Sequence, residues 1–278
     1  MIKTAIISAD AFNPELSNRL GQLKELQVKD FLSGYNQLSE HMLHAQAESI
    51  IRASELTYFD QLSPSFDLIK LALRNRNNLY FSQLPKLNEQ QFNELIRLSQ
   101  EADTSIQLAV PLLFNKQILK AIPLVKAPFL ANIRLSAADD QLTADAFFQL
   151  LLMLVWLDQG DCRKTDSMTF ADAEGLSILE ARLAFHSGSI ARILLSKHFR
   201  EKDTGIELFS PDMKPLRVKT DSNYFNACRE TEYNAISNLI NNIRKKPAVV
   251  LNLTQLQQAQ QIFRSFQQKT NFAGKQFS

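Results

Sequence analysis

The chain has 278 residues, 45% hydrophobic and 22% charged, an ordinary globular composition with enough length for two cores. Its 31 basic and 29 acidic side chains leave a formal charge of +2 and are scattered, which argues against a partner read by a single-sign field, such as nucleic acid or an anionic membrane. Two distant cysteines, Cys162 and Cys228, exclude a disulfide framework and a thiolate metal cage.

The first elements alternate. Residues 2–7 are an apolar strand, and Leu16, Leu20 and Leu23 then recur at helical spacing. Residues 28–35 are a second strand, Leu38, Met42, Ala45 and Ile50 mark a helix, and residues 56–59 are a third strand. Ser63 and Pro64 read as a helix cap and a proline at the first helical position, before an apolar face of Leu68, Ile69, Ala72 and Leu73. A strand at 79–81, a helix from Asn88 carrying Phe92, Leu95 and Ile96, and a strand at 106–110 complete the series. Each parallel crossover needs a helix to return the chain, so the alternation predicts an α/β domain over residues 1–115, a parallel sheet with helices on both faces.

The rest, residues 116–278, predicts an α+β domain with a largely antiparallel open sheet. Phe129, Ala131, Ile133 and Leu135 alternate as a strand, followed by a long helix at 143–157. Its apolar run at 146–157 covers 12 positions, against roughly 20 for a bilayer crossing, and with no secretory-type apolar stretch near Met1 the expected location is cytoplasmic. Leu179, Ala181, Leu183 and Phe185 alternate with Glu180, Arg182 and His186, and the turn His186-Ser187-Gly188-Ser189 leads into a strand at 190–195. Strands at 206–209 and 216–219 follow, then closing helices spanning 227–269, parted by a Lys245-Lys246-Pro247 turn. His41 and His44 share a helix face without a third ligand at matching spacing, so no metal site is expected, and His186 and His198 read as surface residues.

Several of these segments, in order, resemble the Gfo/Idh/MocA family of nicotinamide-dependent oxidoreductases (glucose-fructose oxidoreductase, inositol dehydrogenase, rhizopine catabolism). Ser63-Pro64 is similar to the family's Thr-Pro before a helix, and residues 73–81 to its Ala-Leu, Gly-Lys-His-Val passage. Pro85 with residues 88–101 is similar to the stretch after its Glu-Lys-Pro, and residues 110–115 to the strand end carrying its Arg-Phe-Asn. Residues 183–188 resemble its Leu-x-Phe, Asn-Gly hairpin, and 232–263 its closing helices. The resemblance implies an N-terminal Rossmann-like, dinucleotide-binding-type domain and a C-terminal domain whose open sheet serves as an oligomerisation face.

The functional positions depart from that pattern. The turn at residues 8–14 has no glycine: Ser8, Asp10 and Asn13 stand where glycines would let the backbone turn tightly and approach a pyrophosphate, and Asp10 brings a carboxylate to the diphosphate position. Asn36 matches the ribose-binding acid, with Asp30, inside the strand, as the other reading. Gln83-Leu84-Pro85 matches Glu-Lys-Pro, so Leu84 replaces the lysine that supports proton transfer in the family, and Lys86 points to the opposite side. Placing the family's Trp-Leu on Trp156-Leu157 sets Gln149 and Leu152 at its histidine and aspartate.

The expectation is therefore a dehydrogenase relative without catalytic residues, cofactor or metal, kept for ligand binding or for assembly into a homo- or hetero-oligomer. Its pocket positions are Ser8, Asp10, Asn13, Asn36, Ser63, Pro64, Gln83 and Pro85, and a sugar-like molecule is the ligand considered. The alternative is a divergent oxidoreductase acting on a sugar or polyol hydroxyl and holding NAD or NADP through Ser8, Asn13, Ser63 and Gln83. A sugar-binding or regulatory module is the third reading.

Overall fold

The computed structural model describes residues 1–9, 20–34, 40–136, 140–172, 175–196, 198–211, 215–219 and 229–270. In chain order these form β1 (Ile2–Ser8), β2 (Leu26–Leu32), α1 (Glu40–Arg52), β3 (Leu56–Asp60), α2 (Phe66–Arg74), β4 (Asn78–Phe81), α3 (Glu89–Ala102) and β5 (Ile106–Leu108). There follow α4 (Pro111–Phe114), α5 (Lys116–Ala121), β6 (Leu130–Ser136), α6 (Asp140–Asp158), β7 (Cys162–Asp172), β8 (Gly175–Phe185) and β9 (Ile190–Ser196). The last are β10 (Gly205–Phe209), β11 (Leu216–Val218), α7 (Arg229–Ile243) and α8 (Leu253–Thr270).

By internal contacts the chain forms two compact units, Met1–Ala109 with Glu232–Thr254, and Val110–Thr231 with Gln255–Ser278. The division falls after residue 109 rather than 115, and the segment 232–254, grouped by sequence with the second domain, packs with the first. Hydrogen bonds account for this: the Leu108 amide donates to the Leu251 carbonyl at 3.1 Å, and the Asn242 side chain donates to Ser105 Oγ at 2.8 Å.

In the first unit a five-stranded parallel sheet has the order β2-β1-β3-β4-β5. All five residues of β3 are buried, as a strand covered on both faces requires. Because Tyr58 pairs with Tyr80 and Phe59 with Phe81, each couple meets on one face: the tyrosine rings stack at 4.6 Å and the phenylalanine rings at 5.2 Å. Such ring pairs add about 0.5–1.5 kcal/mol each beyond the area they bury. The helix after β3 starts later than expected: Ser65, not Ser63, caps α2, its hydroxyl accepting the Leu68 amide at 3.3 Å. Asn88 caps α3 through a reciprocal box with Gln91, at 2.9 and 3.0 Å.

In the second unit a six-stranded sheet runs β11-β10-β6-β9-β8-β7, antiparallel except between β6 and β9. One face is apolar and buried, with Ile133, Leu183 and Ile193 in its middle. From Ala144 on, the α6 helix is buried nearly all round, and its Phe147 meets Phe263 and Phe266 of α8 at 5.9 and 5.4 Å. No described helix is long and apolar enough to cross a membrane. The 11-residue β7 has no expectation from sequence, because its side chains are mostly polar and those described, at 162–170, are partly to fully exposed at the sheet edge.

Candidate functional site

Open parallel sheets bind ligands outside the carboxyl ends of their strands, at the point where strand order reverses. Here the reversal lies between β1 and β3. Those strands end on register partners Ser8 and Asp60. Ser8 Oγ donates to Asp60 Oδ2 at 3.1 Å, and the two residues are only 1% and 6% exposed. A buried carboxylate thus occupies the carboxyl edge at the switch point.

The backbone amides at this edge are engaged within it. The Ala9 amide donates to the Asp60 carbonyl at 3.2 Å, and the Ser82 amide to the Phe59 carbonyl at 3.0 Å. The Gln61 amide donates to Ser82 Oγ at 2.7 Å. Gln61 follows Asp60 with φ of +47°, a left-handed backbone that a non-glycine residue adopts at a cost of about 1–2 kcal/mol. This strained step turns the chain sharply off β3.

One layer below, Tyr58 donates its hydroxyl to Glu232 Oε1 on α7. Burial, reinforced by the neighbouring Tyr80 and Glu232, pushes the Tyr58 phenol well above its ordinary range. Gln107, the register partner of Tyr80, lies in the same row and donates Nε2 to the Leu108 carbonyl at 2.9 Å. Its buried Oε1 has no hydrogen-bond partner among the described residues.

The other expected positions have structural tasks. Half-buried Ser63 donates Oγ to the Leu84 carbonyl at 3.2 Å, tying the loop after β3 to the loop after β4. Pro64 and Pro85 are buried, while Gln83 and Lys86 are exposed. Gln149, in the second unit, accepts the Leu112 amide at 3.1 Å and so satisfies a donor at the start of α4. Leu152 is fully buried. Asp10, Asn13 and Asn36 lie outside the described residues, as do the side chains of His41 and His44. Among the described residues no three acidic, histidine or cysteine side chains come together as metal ligands.

Sequence reasoning missed Asp60. The signal was present: an acid directly after the apolar run Leu56 to Phe59 sits at the carboxyl end of a buried strand, where an α/β sheet places its ligands.

No protein-family model and no curated protein matches the chain. Solved structures do. UDP-N-acetylglucosamine 3-dehydrogenase GnnA from Acidithiobacillus ferrooxidans superposes with a TM-score of 0.66 at 12% identity, over 95% of this chain and 96% of that one. The dehydrogenase MviM from Clostridium difficile gives 0.66 at 13% identity over 97% and 99%. Myo-inositol 2-dehydrogenase from Lactobacillus plantarum gives 0.65 at 11% identity over 97% of each chain. The chain has the fold of Gfo/Idh/MocA-type dehydrogenases along nearly its whole length.

Proposed function

We propose that this protein is a non-catalytic member of the dehydrogenase fold, kept to bind a ligand other than a nicotinamide dinucleotide. The observation that carries the reading is the buried Ser8–Asp60 pair at the switch point. A diphosphate there would meet a buried acid already bonded to Ser8; with Asp60 ionised, one charge pair at about 4 Å costs on the order of 1 kcal/mol in water and about 4 kcal/mol at an effective dielectric of 20. The residues present do not fit a dinucleotide held in the usual way.

The remaining positions agree. Leu84 has neither proton nor charge to offer a hydroxyl under oxidation, and the carbonyl oxygen of Gln149 is used by the Leu112 amide. A divergent NAD(P)-dependent oxidoreductase acting on a sugar or polyol is the second reading, favoured by the likeness to dehydrogenase structures, although a fold does not fix an activity. Turnover separates the two. Incubated with a panel of sugars and polyols and either oxidised nicotinamide, the protein is expected to give no increase in reduced-nicotinamide absorbance over a protein-free blank; sustained, protein-proportional reduction would overturn the proposal.

A further inference from the structure

The outward face of the second unit's sheet carries three arginines on adjacent strands, Arg134 on β6, Arg192 on β9 and Arg182 on β8, all exposed. Arg182 and Arg192 are register partners, and Arg134 lies diagonally from Arg192 because it pairs with Leu194. Like charges directly opposite each other destabilise a sheet. One carboxylate relieves this couple: Glu180, 7% exposed, accepts Nε of Arg182 at 2.6 Å and Nε of Arg192 at 3.0 Å on the same oxygen, Oε1. The hydrogen bond from Arg182, and then that from Arg192, hold the Glu180 carboxyl below the usual carboxylate range.

That arrangement uses only one N–H of each guanidinium. Among the described residues the Nη groups of Arg182 and Arg192 make no hydrogen bond, and Arg134 makes neither a hydrogen bond nor an ion pair. Each guanidinium carries five donors in a planar fork suited to carboxylate or phosphate oxygens. The nearby acids do not consume them: Glu207 is paired with Arg217 at 3.1 Å, and Asp166, the register partner of Arg182, accepts the Ser167 amide at 3.0 Å. Positive charge remains in excess even when Asp166 is counted. Glu180 also holds the two forks in place, so less side-chain freedom is lost when an acceptor arrives. In the row through Glu180, half-exposed Met168 and partly buried Leu194 give apolar surface on either side.

We infer that Arg134, Arg182 and Arg192 form a binding site for the oxyanion group, phosphate or carboxylate, of a small ligand. The site is independent of the reading of the first unit. Calorimetric titration of the full chain at constant ionic strength, with inorganic phosphate in one arm and citrate in the other, tests it. Saturable binding of either probe is expected, the responding arm assigning the group. Arg134→Gln is expected to weaken it roughly tenfold while leaving the melting temperature without anion unchanged, since Arg134 has no described partner to lose. Arg192→Gln should weaken it at least as much. Absence of saturable binding, or equal binding by wild type and R134Q, would overturn the inference. Absence of binding by a protein that sediments as a dimer would overturn it too, and would give the face to a second copy.

Discussion

The carboxyl edge of the parallel sheet and the outward face of the mixed sheet use charge in opposite ways. At the edge, an acid is buried, its serine partner is buried beside it, and the neighbouring amides are hydrogen-bonded within the edge. On the outward face, a carboxylate is also nearly buried, but it organises arginines whose forks remain exposed. Polar groups satisfied within the protein stabilise a fold and attract little, whereas donors fixed in position but left without acceptors are poised for a ligand. Among the described residues, the edge where a dinucleotide would lie has its polar groups engaged with one another, and the outward face of the mixed sheet offers donors.

Substitutions can break this contrast, beginning with the largest effect. Tyr80→Ala removes a fully buried ring stacked on Tyr58 and is expected to lower unfolding free energy by about 3–5 kcal/mol in chemical denaturation. A loss below 1 kcal/mol would mean that the aromatic layer under the edge is not close-packed. Ser8→Ala takes a donor from buried Asp60 and should cost about 1–3 kcal/mol; no cost would indicate that the edge is open to water.

The pH dependences differ in sign between the two regions. Tyr58, with its folded value raised, contributes stability that is complete below its unfolded value of about 10 and is lost as pH rises through the folded value. Tyr58→Phe should flatten that alkaline fall in melting temperature. Glu180, with its folded value lowered, contributes stability present above about 4.3 and lost as pH falls through the folded value, and Glu180→Gln should remove that acid-side component. The smallest effect is expected at Gln61, where glycine relieves the left-handed backbone but frees the unfolded chain: a net gain under about 1 kcal/mol, read as a slightly higher denaturation midpoint.

Much of the architecture is legible in sequence because burial writes it there. The parallel sheet follows from apolar runs separated by helical periodicity, and β6, β8 and β9 from strict alternation over one buried face. Where burial is weak the signal fades: β7 is an edge strand with half-exposed Met168 and Phe170 as its main apolar side chains, and it left no pattern to read. The start of α2 was displaced because Ser63 and Ser65 both flank Pro64 and either could cap a helix; the structure gives the cap to Ser65 and spends Ser63 on the Leu84 carbonyl. The return of 232–254 to the first unit depends on long-range bonds such as Tyr58 to Glu232, which no local pattern encodes.

The site was legible in part. The missing glycines and Leu84 could be read from the sequence, but the pairing of Ser8 with Asp60 arises only when two strands 52 positions apart are set side by side. The arginine cluster is likewise a product of register, since Arg134, Arg182 and Arg192 come from three strands and meet only across the sheet.

The claim that the carboxyl edge does not hold a dinucleotide is tested most directly by calorimetric titration of the purified protein with NAD, NADH, NADP and NADPH, with inorganic phosphate held in excess so that the arginine cluster on the second unit is occupied. The Ser8–Asp60 edge predicts no saturable heat for any of the four up to millimolar concentration; a saturable isotherm with a micromolar Kd for any one of them would contradict it.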